Sequence, residues 1–257
     1  IDKGFFLLII GRSHKKYKNL LSLLGQKENI EFFQLDISNS HSVKEFYESF
    51  NERGADVFGL INMAAIQQPI SEFAECELKE WSKNLSINLL GTVNMIYGFV
   101  NIIGDNKKKH KIINFSGGGA TSPRSNFSAY AASKSGIVNL TEVLSYEFRD
   151  KNIDINSVSP GLIDTNMLDE ILMMGEKAGP DYQKLLSKKN NNEYDDVKKI
   201  ITLCNYLLSS DSDGISGKII SAIWDDFKNK KFIDRLKNDS NFCVLRRVDS
   251  INFGKIN

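Results

Sequence analysis

The sequence predicts an α/β fold: a doubly wound parallel sheet with helices on both faces, in a single domain. Three observations carry that prediction. Short apolar runs alternate with longer stretches of helical spacing from Phe5 to Ala222. The first run, Phe5–Ile10, is continuously apolar, the pattern of a strand buried on both faces. The chain's 257 residues, 41% hydrophobic and 25% charged, suffice for one full core, with no internal repeat and no Pro-, Gly- or Ser-rich linker to divide it.

Phe5–Ile10 is bounded by Gly4 and Gly11 and reads as the first strand. Ser13 caps a helix that runs through Leu20, Leu21, Leu23 and Leu24 to a stop at Gly25. Ile30–Ile37 is a strand, and Ser42–Phe50 spaces Val43, Phe46, Tyr47 and Phe50 on one helix face. Val57–Met63 is a strand and Leu78–Val100 a long helix, followed by the polar stretch Asp105–Lys111. Strand Ile112–Ser116, helix Ser128–Phe148, strand Ile153–Val158, helix Val197–Leu208 and strand Lys218–Ala222 complete the series. Residues 167–196, with Gly175, Gly179–Pro180 and Asn190–Asn192, read as an irregular, mobile excursion of the kind that closes over a ligand. Residues 223–257 read as a C-terminal extension.

Composition excludes several classes. A net charge of +1 suggests no nucleic-acid or membrane-surface partner. Cys76, Cys204 and Cys243 lie far apart and read as reduced thiols in a cytoplasmic protein. His14, His41 and His110 are scattered without metal-ligand spacing, so no metal is expected. The longest strongly apolar stretch is Phe5–Ile10, so no membrane span is expected. The first residue is Ile1, which suggests a gene product that begins upstream.

Tyr130 and Lys134, in Ser128-Ala-Tyr-Ala-Ala-Ser-Lys134, share one helix face. An ammonium beside a phenol favours the phenolate and makes the tyrosine an acid/base near neutral pH. The spacing alone is weak, and Tyr194–Lys198 repeats it without companion motifs.

Further motifs follow in an order that resembles the short-chain dehydrogenase/reductase family, from about Phe5 to about Ala222. Leu35-Asp36-Ile37 is similar to the strand end that meets the adenine. Asn62-Met-Ala64-Ala65 stands where the family has Asn-Asn-Ala-Gly, a support for the central sheet and the cofactor wall. Trp81 to Gly91 resembles the helix with the family's catalytic Asn, here Asn88. Ile113–Ser116 resembles the serine strand, and Tyr130–Lys134 follows at the family's distance. Asn156 to Gly161, with Ile163 and Thr165, resembles the segment that faces the nicotinamide, and Gly214-Ile-Ser-Gly217 the lead into the last strand.

The resemblance implies a Rossmann-type fold and hydride transfer between a nicotinamide cofactor and a carbonyl or alcohol carbon. Tyr130 would give or take the hydroxyl proton. Lys134 would lower the Tyr pKa and hold the nicotinamide ribose. Asn88 would anchor a water in a proton relay to Lys134, and a serine would polarise the substrate oxygen. Asp36, Ile37, Asn62, Ala64, Pro160, Gly161, Ile163 and Thr165 would line the cofactor. Homodimers or homotetramers are implied too, through the helices that carry Asn88 and Tyr130.

Two departures stand out. The family's serine position falls on Gly117, inside Ser116-Gly-Gly-Gly119, which leaves Ser116 as the candidate one residue early. The family's first strand, its Gly-rich turn and most of its first helix have no counterpart, because Phe5–Gly11 aligns with the family's second strand. Either the chain is trimmed or it is a relative that has lost dinucleotide binding. After that strand stands Gly11-Arg12-Ser13 in place of an acid, which favours NADP over NAD, since a guanidinium grips a 2′-phosphate.

Asp195-Asp196, Asp225-Asp226 and the run Lys107–Lys111 read as solvated. Met173-Met174 are candidates for an apolar substrate pocket, and Trp224 and Phe227 for a cover over the site mouth or a subunit contact. The expectation is an NADP-linked oxidoreductase acting on a small polar carbonyl or alcohol, such as a sugar derivative. Its rivals are a non-catalytic relative and a sugar-nucleotide epimerase or dehydratase.

Overall fold

The computed structural model describes residues 5–24, 28–54, 56–103 and 108–248. Strands β1 (Leu7–Gly11) and β2 (Ile30–Gln34) pair in parallel, Leu7 opposite Ile30 and Gly11 opposite Gln34. Helix α1 (His14–Leu24) joins them, and Ser13 Oγ accepts from Lys16 N at 3.3 Å, the cap the sequence predicts. Helix α2 (Ser40–Glu52) starts at Asn39, whose side chain accepts from Ser42 N.

Strands β3 (Gly59–Asn62), β4 (His110–Phe115), β5 (Ile153–Ser159) and β6 (Ile219–Ser221) form a second parallel sheet in that order. Between β3 and β4 runs one long helix in three parts: α3 (Leu78–Leu85), a π-helical turn (Ser86–Leu90) and α4 (Gly91–Ile103). Helix α5 (Ser128–Glu147) crosses from β4 to β5. Strand side chains alternate between two cores. Ile112 faces Val43, Phe46, Met95 and Phe99 on one side, and Ile113 faces Leu203, Leu207 and Ile220 on the other.

Parallel strands with helices on both faces are as expected, but the sheet is divided. The break falls between β1 and β3, where the sequence reading finds no counterpart of the family's first strand. Leu7, Ile61 and Met63 are 39, 43 and 66% exposed beside it, and Phe5 stacks on Phe58 at 5.4 Å.

Other expectations need correction. Residues 167–196 are regular: α6 (Asn166–Met174) and α7 (Pro180–Asn190) bury Leu168, Ile171, Ala178 and Leu185 against Ile70 and Phe127. Pro180 sits in the first turn of α7, where its missing N–H costs nothing. After α8 (Val197–Leu207) and β6, the C-terminal extension forms α9 (Lys230–Asn238), with Leu236 in the core. Phe227 is buried beside Tyr206 and is no cover; Trp224 and Met173 are exposed. Lys111, expected in a solvated run, is 2% exposed and bonds to Asp154 and Asp213 at 2.8 and 2.6 Å. The span Leu78–Ile103 is long and apolar enough to cross a membrane by length and composition, which the sequence reading denied; half of its most apolar stretch is buried inside the protein. The stop at Gly25, residues 105–107, Ile1 and the tail beyond 248 lie outside the described residues.

Candidate active site

The site lies where the C-terminal ends of β3, β4 and β5 meet the head of α5. Phe127, wholly buried, anchors the loop that enters α5, and Trp81 Nε1 donates to Ser128 Oγ at 3.1 Å. That fixes Tyr130 in the first turn and Lys134 one turn later, 6% and 2% exposed.

Lys134 Nζ donates to the carbonyl of Phe115 at 2.8 Å and lies 5.7 Å from the Tyr130 ring centre. Burial lowers the Lys134 ammonium to about 8. Burial also raises the Tyr130 phenol, and the opposing pull comes from Arg124. The expectation that Lys134 lowers Tyr130 is therefore not met in this state. The lysine is itself desolvated and spends its proton on a strand-end carbonyl.

Asn88 is wholly buried in the π turn, a feature that recurs at functional sites. Its Oδ1 accepts from Ile66 N at 2.9 Å, and its Nδ2 donates to Ile66 O, Asn84 Oδ1 and Ser133 Oγ. Ser133 Oγ in turn donates to Tyr130 O at 2.8 Å. Asn88 thus ties the loop after β3 to the first turn of α5. Its own carbonyl accepts from Thr92 Oγ1 at 2.7 Å.

Ser116 follows directly after β4, with its hydroxyl buried and without a partner among the described residues. The position that faces Tyr130 is Gly117. A Cβ there would lie 2.3 Å from Tyr130 Oη, so the phenol occupies the space that a side chain at 117 would need. The strand end therefore supplies no hydroxyl to Tyr130.

Asn62 Nδ2 donates to Asn114 Oδ1, and Asn114 Nδ2 to Thr141 Oγ1, each at 2.9 Å. This buried chain holds β3, β4 and α5 together, the sheet support expected of Asn62. Ala64 is exposed at the mouth. Pro160, Gly161 and Ile163 are half-buried, and Gly161 has φ 82°. Asp195 Oδ2 accepts from Leu162 N at 2.6 Å, so this residue, expected to be solvated, pins that segment. Its neighbour Asp196 caps α8 through Lys198 N, and Asp225 accepts from Ser221 N. Thr165 precedes α6 and is exposed.

Beside β1 and the head of α1 is a hollow of about 550 Å³ lined by Ile9, Gly11, Arg12, Ser13, Lys16, Tyr17 and Phe32. Tyr17 stacks on Phe32 at 4.4 Å. Lys16, Tyr17 and Phe32 were not found from sequence, since the residues between them gave no motif. Asp36 is exposed; hydrogen bonds from Ser38 hold its carboxyl below the usual range, with Arg12 adding to the effect. Ile37 O accepts from Asn94 Nδ2 at 2.9 Å.

The residues present suit a nicotinamide dinucleotide at its two ends. Arg12 and Lys16 beside the stacked rings of Tyr17 and Phe32 suit an adenosine, and the buried Tyr130–Lys134 pair suits the reactive ring. Between them, no Gly-rich turn at a helix N-terminus lies among the described residues to cradle the pyrophosphate.

A parallel sheet under helices, with a Tyr–Lys pair at the head of a helix, defines an oxidoreductase of the dinucleotide type. The family model for short chain dehydrogenases matches residues 1–174, and the chain belongs to that family. It is 28% identical over 184 residues to a benzil reductase ((S)-benzoin forming) of Bacillus cereus, covering 69% of this chain and 73% of that one. It is likewise 28% identical over 196 residues to a diacetyl reductase ((S)-acetoin forming) of Staphylococcus epidermidis, 73% and 75% covered. The fold superposes on ElxO with NADP bound at a TM-score of 0.73, with 23% identity and 86% and 88% covered. The chain is an NAD(P)-dependent oxidoreductase of a small-molecule substrate.

Proposed function

We propose that this protein reduces a small dicarbonyl compound with NADPH, and that Tyr130 supplies the proton. The observation that carries the reading is the buried Tyr130–Lys134 pair at the head of α5, anchored on the Phe115 carbonyl. The relatives named for benzil and diacetyl favour a vicinal diketone over the sugar derivative suggested by sequence. Once bound, the nicotinamide supplies the hydride. Tyr130 donates its phenolic proton to the forming alkoxide. Lys134 then leaves the Phe115 carbonyl for the phenolate and returns a proton toward it. Asn88 keeps the loop at Ile66 in place beneath the substrate and orders the water of the relay. Ser116, buried and unpartnered, takes no part without a change in the local path.

Arg12, with Lys16 beside it, holds the 2′-phosphate. Asp36, Ile37, Asn62, Ala64, Pro160, Gly161, Ile163 and Thr165 line the remainder of the dinucleotide path. Residues 167–196 close over the substrate, and the described part of the C-terminal extension, residues 223–248, extends the core through Phe227 and Leu236. Leu90 at the end of the π turn, Val93 and Tyr97 on α4, and Val143 and Tyr146 on α5 are exposed and form the subunit contact of a homodimer or homotetramer. Three unpaired cysteines suit a cytoplasmic location.

Titration of the chain with NADPH and NADH, followed by nicotinamide fluorescence, tests the cofactor assignment. Preferential binding of NADPH supports Arg12 as the phosphate ligand. Equal binding of the two, or a preference for NADH, counts against it.

A further inference from the structure

Building on the dicarbonyl reading of this site, we infer that Arg124 determines substrate specificity. It receives a second oxygen of the substrate, beside the carbonyl that Tyr130 protonates, and so selects neutral vicinal dicarbonyl compounds.

The placement of Arg124 is built. Its guanidinium lies 3.7 Å over the Phe127 ring and 5.7 Å from the Tyr130 ring centre. Nε donates to Asp181 Oδ2 on α7 at 2.6 Å, and Nη1 to Gln67 Oε1 at 3.1 Å. Gln67 is itself 3% exposed and tied by Nε2 to the carbonyl of Met167 at 3.0 Å. The side chain is thus held from three sides, with Nη2 left without a protein partner among the described residues.

The floor between Tyr130 and Arg124 is bare. Gly117 and Gly118 put no side chain there. A Cβ on Gly117 would meet Tyr130 Oη, and one on Gly118 would lie 3.5 Å from Arg124 Nη1. A substrate lying over these two glycines meets the phenol with one oxygen and the guanidinium with another.

Charge decides between a neutral and an anionic partner. Asp181 neutralises Arg124, so an incoming carboxylate would compete with an ion pair that is already made. A second ketone oxygen needs only the open Nη2 donor. The strand end supplies no serine hydroxyl at position 117, and Arg124 Nη1 lies beside Gly118.

The test uses the full chain carrying Tyr130→Phe, which removes the proton donor and lets ketones bind without turnover. Calorimetry compares 1-phenyl-1,2-propanedione with propiophenone, which lacks the second carbonyl. The dione is expected to bind roughly 10- to 100-fold tighter, as a hydrogen bond to a charged group implies. Adding Arg124→Gln should bring the two affinities together. Adding Asp181→Asn instead should raise affinity for benzoylformate about tenfold relative to the dione, because the guanidinium loses its counter-charge. Equal affinities in the parent, or a preference for the dione that survives Arg124→Gln, overturns the inference. If Arg124→Gln fails to fold, the Asp181→Asn comparison decides, and no gain for benzoylformate overturns it. The expected binding pattern in a protein that never oxidises NADPH supports the role of Arg124 while counting against the reductase reading.

Discussion

The two pieces of the sheet are held in different ways. In β3–β6, strands β4 and β5 run nearly buried from end to end, and a chain of Asn62, Asn114, Thr141 and Ser157 crosses from strand to strand beneath α5. In β1–β2, β1 is half-buried at best, one edge faces the break, and aromatic stacking of Tyr17 on Phe32 closes the outer side. The polar chain fixes geometry because each buried group has one partner set, and breaking it strands a donor in a dry interior. Stacked rings on a half-open sheet tolerate displacement. On the proposed reading, the chemistry sits on the piece whose geometry is over-determined, and the cofactor's far end on the piece that can adapt.

Substitutions can sharpen or break that contrast. The largest effect is expected from Ile155→Ala, in the wholly buried centre of β5. It should lower unfolding free energy by about 2–5 kcal/mol in denaturant titration. A loss under about 1 kcal/mol would mean that β5 is not the rigid element described.

Next is Lys134→Met. Burial holds the folded ammonium near 8, against 10.5 when the chain is unfolded. Between these values the unfolded chain binds more protons than the folded one, so this group makes stability rise with pH across that window. Replacing it with methionine should keep or raise the melting temperature and remove that pH-dependent gain. Melting curves of both proteins from pH 7 to 10 check the sign; a sharply lower melting temperature for the variant at pH 7 would show that the lysine stabilises the fold.

Arg12→Gln touches the adaptable piece only. It should weaken NADPH roughly tenfold or more while leaving NADH nearly unchanged, as loss of a charged contact to phosphate implies. Equal losses for both would make Arg12 a structural residue. Smallest is Leu7→Ala, at the open edge and 39% exposed. It should cost under about 1 kcal/mol, and a loss matching that of Ile155→Ala would erase the contrast between the two pieces.

Much of this was legible in the sequence, and the reasons are local. β4 and α5 read cleanly because Ile112, Ile113 and Phe115 form a short apolar run before a glycine stretch and Tyr130, Lys134, Ile137, Val138 and Thr141 repeat on one helix face. Helices α6 and α7 did not read as helices, because Gly175 and Gly179–Pro180 punctuate them and their buried face forms only against Ile70 and Phe127. Lys111 looked solvated because its neighbours are lysines, and its partners Asp154 and Asp213 are distant in sequence. Arg124 escaped notice for the same reason: Gln67 and Asp181 each lie 57 residues away. Ser116 was chosen because a serine was expected there, but the position against the Tyr130 hydroxyl is Gly117, and the Ser116 hydroxyl is buried without a partner among the described residues.

The most direct test of the central claim, that Tyr130 is the proton donor of a carbonyl reductase, compares the chain with its Tyr130→Phe variant. Oxidation of NADPH would be followed by absorbance with 1-phenyl-1,2-propanedione as substrate, and binding of NADPH by fluorescence. The account predicts turnover that depends on the dione and falls about 10²- to 10⁴-fold in the variant, with NADPH bound equally by both. Equal turnover in the two proteins would contradict it, as would tight NADPH binding with no turnover of any carbonyl compound.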